Sequence, residues 1–195
     1  MAFVANTNTN VDTGRPKVGG YAFSAPLGTE LPTDHAAELN AAFLNMGYVS
    51  KDGVSLAEER NTTDQEDWGG VVVETTQESF SSTVTVTFIE SLRGDLLKAI
   101  YGKDNVTITP PTQTDEGKIH IKHNATELDN ASWVFEMASR RSRKRIVLPN
   151  ARITAVGETK FVAAELISYQ CTIKAYPDAG GDNIHEYKSL PKLPA

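Results

Sequence analysis

Cysteine is almost absent: Cys171 is the one thiol in 195 residues, so no internal disulfide can staple the fold. Long apolar runs are missing too. No stretch approaches the roughly 18 apolar residues of a membrane-spanning helix, and no membrane anchor is expected. The first twenty residues, MAFVANTNTNVDTGRPKVGG, lack the apolar core of a secretory signal, which predicts a chain that is cytosolic where it is made. Positive charge is in deficit, with 19 Lys+Arg against 25 Asp+Glu and a formal net charge of -6. A field of that sign repels nucleic acid and keeps a subunit soluble. Neither G-x-G-x-x-G nor G-x-x-x-x-G-K-[ST] occurs, which leaves nucleotide binding by those loops unsupported.

Chemistry-bearing constellations are scarce as well. His120 and His123 lie three apart in KIHIKH; on a strand that spacing places them on opposite faces, unfit to chelate one metal. His35 and His185 stand in unrelated polar contexts and read as surface residues. Cys171 falls on the apolar side of an alternating stretch, where a thiol behaves as a small hydrophobe. The acidic run 58–67 lacks the order of a calcium loop, and DAGGD (178–182) is too sparse to fill a coordination shell. No catalytic residue, cofactor or metal site is expected, and the chain does not read as an enzyme.

What is present suits one globular domain over 1–195. Hydrophobic residues make up 39% and charged residues 23%, both ordinary values for a soluble protein. Residues 1–33, rich in Asn, Thr, Gly and Pro with scattered apolar side chains such as Phe3, Val4 and Phe23, predict an extended arm. PTDHAAELNAAFLNMG offers Thr33 or Asp34 as a cap, with Ala36, Leu39, Ala42, Phe43 and Met46 on one helical face and Gly47 as the stop, which predicts a short helix. Residues 48–70 then run polar and acidic. Asp52-Gly53 signals a turn, with a small hairpin possible at the base, and the rest reads as a long functional loop.

The strongest pattern follows. In 71–90, Phe80, Val84, Val86 and Phe88 alternate with Ser81, Thr83, Thr85 and Thr87, the period of a half-buried antiparallel strand. SLRGDLLKAIYG (91–102) changes period: Leu92, Leu96, Leu97 and Ile100 form a stripe, Ser91 can cap and Gly102 ends the helix. Further strands are predicted at 106–109, 118–122, 131–138, 145–148, 151–156 and 165–175, with a peripheral turn-rich tail over 176–195. Strands, one helix and more strands, without a β-α-β rhythm, predict a mainly β fold. It is an antiparallel sandwich or barrel carrying one principal α-helix.

One cluster runs against the overall charge. MASRRSRKRIVLP (137–149) carries Arg140, Arg141, Arg143, Lys144 and Arg145. Clustered cations can neutralise phosphates, but no aromatic residue is interleaved for base stacking. The flanks read as strands, which makes the cluster a basic turn whose charges reach an acidic surface.

Read together, GYAFSAPLGTELPTD, FLNMGYVSKDGVSLAEERNTTDQEDWGG, TVTVTFIESLRGDLLKAIYGKDNV, RIVLPNARITAVGE and ISYQCTIKAYPD resemble the major tail protein of long-tailed bacteriophages, the tail tube subunit. The likeness is closest to phages of actinobacteria. It spans 19–108 and 131–178, and GYVSKDGV…WGG and FIES…LLKAIYG are its more specific blocks. An additional immunoglobulin-like domain, common in the family, is not expected here. The resemblance implies a sandwich or barrel flanked by a helix, closing with copies of itself into hexameric rings that stack into a tube. The implied partners are the tape-measure protein, the tail terminator and the distal tail or baseplate proteins. Double-stranded DNA would pass through the lumen without specific binding. The location would be the virion tail, after assembly in the bacterial cytoplasm.

The family architecture points to the arm and the 48–70 loop as subunit contacts. Asp52, Glu58, Glu59, Asp64, Glu66, Asp67 and Trp68 are then interface candidates, together with Arg140, Arg141, Arg143, Lys144 and Arg145. Pairing of the two sets across neighbours predicts that reversing Arg140, Arg141 and Arg143 to Glu blocks ring stacking. Two other readings compete: a nucleic-acid-binding module using 140–145, and a β-sandwich adhesin or capsid-decoration protein.

Overall fold

The computed structural model describes residues 6–190; Phe3 and Val4 of the expected arm lie outside them. The elements run β1 (Ala22–Pro26), β2 (Leu44–Asn45), β3 (Val49–Glu66), β4 (Val72–Phe88), α1 (Gly94–Tyr101), β5 (Val106–Thr109), β6 (Lys118–Ile121), β7 (Ala131–Ala138), β8 (Arg143–Val156), β9 (Tyr169–Tyr176) and β10 (His185–Lys188). The expected class is what the chain forms: mainly β, antiparallel, with one principal helix. The main sheet has the order β2-β1-β7-β8-β9-β4-β3. One edge of β8 carries β7, and the other is shared end to end by β10 and β9. β5 and β6 form a separate two-stranded sheet.

The alternation read in β4 is realised: Val84, Val86 and Phe88 are buried, while Thr83, Thr85 and Thr87 are only half-buried. These side chains meet Trp133, Phe135, Leu148, Cys171 and Ile173 from neighbouring strands under Leu96, Leu97 and Ile100 of α1. The helix starts later than its stripe suggested. Arg93 takes the cap position without a side-chain bond, Ser91 caps nothing, and Leu92, outside the helix, is largely exposed. Gly94 is therefore the first residue of the helix, and a Cβ there would meet Ile108 Cδ1 at 2.2 Å.

The helix expected from 34 to 46 does not form. Asp34 does act as a local cap: its carboxylate accepts the backbone N–H groups of Ala36 and Ala37. Those bonds hold its pKa below the usual carboxylate value, with Ala37 the larger cause. The carbonyls of Asp34 and Ala37, which a helix would use internally, accept instead from the Arg145 guanidinium at 2.7 and 2.8 Å. Short helices have little margin over such competition. The apolar side chains still reach the sheet, but on both faces. Leu31, Leu39 and Phe43 pack with Val134 and Val147, whereas Met46, beyond β2, joins the cluster under α1. Gly47 makes the turn that follows (φ +90°), and a Cβ there would lie 2.5 Å from Glu90 Cδ.

Three boundaries were misread for separable reasons. The expected loop 48–70 is mostly strand β3, whose polar sequence carries no apolar period because most of it is buried on neither face. The strands expected at 145–148 and 151–156 are one strand, β8, which runs through Pro149. The register shifts opposite that proline, between Ala131 and Trp133, and the Pro149 carbonyl accepts from Ser132 Oγ at 2.7 Å; a bulge is where a strand tolerates proline. The arm and the tail, finally, both contribute strands to the sheet, β1 and β10. The segment before β1 also lies along β7, with Lys17 N–H donating to the Glu136 carbonyl and Ala138 N–H to that of Arg15.

Candidate assembly surfaces

β4 has β9 beside it only from Ser82 to Phe88. Before Ser82 it pairs with β3 alone, so residues 59–81 form a two-stranded ribbon free of the sheet. At about 3.3 Å per residue, the ten steps from Ser82 back to Val72 carry its tip about 33 Å beyond the last sheet contact. From Ser55 to Phe80 every residue is exposed except Thr63, which is half-buried.

Side chains hold the ribbon together across its strands. The Arg60 guanidinium lies 4.5 Å over the Phe80 ring. Asn61 donates to Ser79 Oγ at 3.0 Å, and Thr75 Oγ1 donates to Asp64 at 2.7 Å. At the tip, Asp67 Oδ1 accepts from the backbone N–H groups of Gly69 and Val71, both at 2.8 Å. Gly70 supplies the left-handed residue, φ +79°. This closed turn presents Trp68 at full exposure beside exposed Val71, Val72 and Val73.

The predicted acidic residues are collected here. Asp52 sits at the root of the hairpin within reach of Ser50, and Glu58, Glu59, Asp64, Glu66 and Asp67 follow along β3 to the tip. With Glu74 and Glu78 on β4, eight carboxylates face only Lys51 and Arg60 over residues 49–88. That excess equals the net charge of the whole chain, and all other residues balance.

The basic cluster divides. Arg140 is exposed on the 139–142 turn, and Arg141 donates to the Asn8 carbonyl. The hydroxyls of Ser139 and Ser142 bind the Asp12 carboxylate and, with a smaller contribution from nearby Lys144, lower its pKa to about 2. Arg143 is exposed, Lys144 is half-buried, and neither forms an ion pair among the described residues.

Arg145 is not a surface charge. It is 2% exposed and paired with Glu136, itself 4% exposed, through Nε at 2.9 Å and a second bond from Nη2. Lys17 reaches the other oxygen of that carboxylate. Glu136 and Arg145 are cross-strand partners. The signal missed in the sequence was Glu136, a lone carboxylate at an inward position of the apolar run ASWVFEMA.

Two further features are tertiary. Asp178, Asp182 and His185 bring ligating atoms within 4.8 Å of one another, although the sequence left them apart. Their bonds close the turn between β9 and β10: Asp178 accepts from Asp182 and Gly180 N–H, and lies 3.1 Å from His185 Nε2. Those bonds lower the Asp178 pKa, the Asp182 N–H foremost. Cys171 is buried, as its alternation implied, and burial pushes its thiol up to about 12. His123 stacks edge-on against Tyr101 at 4.7 Å.

The second feature is a groove of about 580 Å³ between α1 and the ends of β1, β7 and β8. Leu27, Leu44, Met46, Ala99 and Trp133 make its apolar lining, and Lys98, Lys103 and Arg152 stand around it with Asp95 and Asp129.

Direction along the sheet orders these surfaces. β4 and β8 run the same way, since each is antiparallel to β9. The ribbon tip precedes β4 and the basic turn precedes β8, so both lie at one end. The groove lies at the other, where β1 ends and β7 begins.

A sequence model of the family described as phage tail tube protein matches residues 8–188. The chain belongs to the phage tail tube protein family. This tail tube protein is thus a structural component of a phage tail. No curated protein matches its sequence. Solved structures to which the chain is similar include the tube-terminating cap of the anti-feeding prophage, at 9% identity and a TM-score of 0.45, covering 95% of this chain and 100% of that one. The sheath/tube terminator of the PVC extracellular contractile injection system, in its extended state, is 10% identical with a TM-score of 0.45, covering 88% and 96%. The extended sheath–tube complex of that system is 9% identical with a TM-score of 0.44, covering 95% and 100%. At such identities these likenesses say nothing about function.

Proposed function

We propose that this tail tube protein closes into six-membered rings that stack into the hollow tube of a long-tailed phage, through which double-stranded DNA passes. The tail would be of the kind found on phages of actinobacteria, on the strength of the GYVSKDGV…WGG and FIES…LLKAIYG blocks. The observation that carries the self-assembly reading is the free ribbon. An isolated two-stranded hairpin is marginal in water, and one with open edges is a ready template for pairing. Ring closure would give those edges neighbours.

The concentration of negative charge in the hairpin suits a conduit, because carboxylates near a lumen disfavour adhesion of a polyanion. The ribbon and the basic turn share one end of the sheet. Neighbours around a ring, related by rotation alone, would hold both at one level, so Arg140, Arg143 and Lys144 would meet ribbon carboxylates laterally, within the ring. A stacked ring offers them less readily. The tube would grow in the host cytoplasm around a tape-measure protein, between a terminator and the distal tail proteins, and reside in the virion.

Negative-stain microscopy of the purified chain, with and without phage-derived initiator, is the test. Hollow rods of six-fold end view are expected. A chain that stays monomeric with initiator and is missing from purified tails would overturn the reading. The variant Arg140→Glu/Arg141→Glu/Arg143→Glu should stay folded and lose ring closure; rings that form normally from it would remove the lateral pairing.

A further inference from the structure

We propose that the ribbon tip of one copy, led by Trp68, docks into the groove beneath α1 of a second copy in the adjoining ring. This rests on the self-assembly reading and names its axial contact.

Three observations support the match. Trp68 is completely exposed, and both Asp67 Oδ1 bonds and the Gly70 turn fix the backbone of the loop that carries it. Docking then orders one two-torsion side chain rather than a whole loop, and aromatic anchors of this kind dominate interface energetics. Apolar surface is open on the receiving side as well. Leu27 and Leu44 are about half exposed at the groove, at 53% and 48%, and its volume of about 580 Å³ falls in the range of sites that bury a large ligand group.

Charge agrees with shape. The tip segment 64–74 carries Asp64, Glu66, Asp67 and Glu74 and no cation. Around the groove, Lys98, Lys103 and Arg152 outnumber Asp95 and Asp129. Lys98 forms no ion pair among the described residues and is the cation free to meet the tip, whereas Lys103 lies 3.4 Å from Asp129 and Arg152 pairs with Glu127.

Position decides the kind of contact. Tip and groove lie at opposite ends of the sheet, so a tip entering a neighbour's groove sets the two copies end to end along the strands. A rotation that closes a ring also joins unlike surfaces but keeps tips and grooves at separate levels, whereas a displacement along the strands brings them together and repeats without closing.

The experiment uses two full-length variants, Trp68→Ala, which removes the anchor, and Leu44→Glu, which places a charge in the groove. Each should keep the native circular dichroism and lose at least tenfold in sedimentable assembly. Mixed after separate purification, they retain one competent junction between them, the intact tip of Leu44→Glu in the intact groove of Trp68→Ala. The mixture should form two-layer species and stop there. Trp68→Ala polymerising like the native chain, or a mixture with no paired species, would overturn the docking while leaving the tube reading intact.

A second measurement stands if Leu44→Glu misfolds. Gly69→Cys with Leu27→Cys, in a chain whose own Cys171 is buried, should give a ladder of disulfide-linked oligomers under oxidation; the absence of cross-links in assembled material would equally overturn it. A native chain that never associates sinks both readings.

Discussion

The two halves of β4 make an instructive pair. From Ser82 to Phe88 the strand has a neighbour on each side, and its side chains alternate between core and half-buried positions. From Val72 to Phe80 the same strand pairs only with β3, and every residue is exposed. Both halves pair with β3; the second edge, which only β9 fills, and the burial of one face are what separate them. The body is closed around two apolar clusters, whereas the ribbon over 59–81 carries six carboxylates against Arg60 alone and none of the core. A region with so little apolar burial and so much exposed backbone sits at the low-stability end of a fold. It is free to serve contacts between copies.

Substitutions along β4 should reproduce that division. The largest effect is expected for Phe88→Ala, which empties a fully buried site between Trp133 and α1 and should cost about 3–5 kcal/mol in chemical denaturation. Phe80→Ala, eight residues earlier on the same face, should cost less than about 1 kcal/mol, since it loses little more than a surface cation–π contact. Equal losses at the two positions would mean that the ribbon belongs to the cooperative body after all.

A comparable loss is expected at the buried ion pair of Glu136 and Arg145. Arg145→Ala leaves Glu136 buried with only Lys17 and should destabilise by about 3–5 kcal/mol. Arg140→Ala, five residues away on the turn, should be close to neutral. Unfolding midpoints in urea, with the slope unchanged, check both.

The smallest effect concerns Asp12 on the edge of the basic turn. Its folded-state pKa is depressed from 3.8 to about 2. Its contribution is present above the unfolded value and is lost as pH falls through the folded one. Hydrogen exchange in residues 8–16 should accordingly accelerate between pH 3.8 and about 2, after correction for the intrinsic rate. Asp12→Asn should show faster exchange at neutral pH and no such step. A step of the same size in Asp12→Asn would assign it to another group.

What was legible follows from local physics. The period-two run before Phe88 and the Leu96, Leu97, Ile100 stripe were readable because one face of each is buried and writes its spacing into the sequence. The acidic run and the basic cluster were readable as composition, though not that Arg145 belongs to the interior. β3 was not readable as a strand because a ribbon exposed on both faces needs no apolar alternation. The segment around Asp34 read as a helix because its cap is real, and nothing local reveals that Arg145, 111 residues away, takes the carbonyl.

The sequence by itself determined the class of fold, the helix, the inert thiol and the family, since these rest on short-range periodicity and on blocks of adjacent residues. Only the tertiary structure decided which charges are surface and which are core. Arg145 and Arg143 are alike in sequence, but cross-strand register sets one against Glu136 and leaves the other in water. Tertiary structure also decided that the acidic ribbon and the basic turn leave from one end and the groove opens at the other. Strand direction is a property of pairing between distant segments, and no local pattern encodes it.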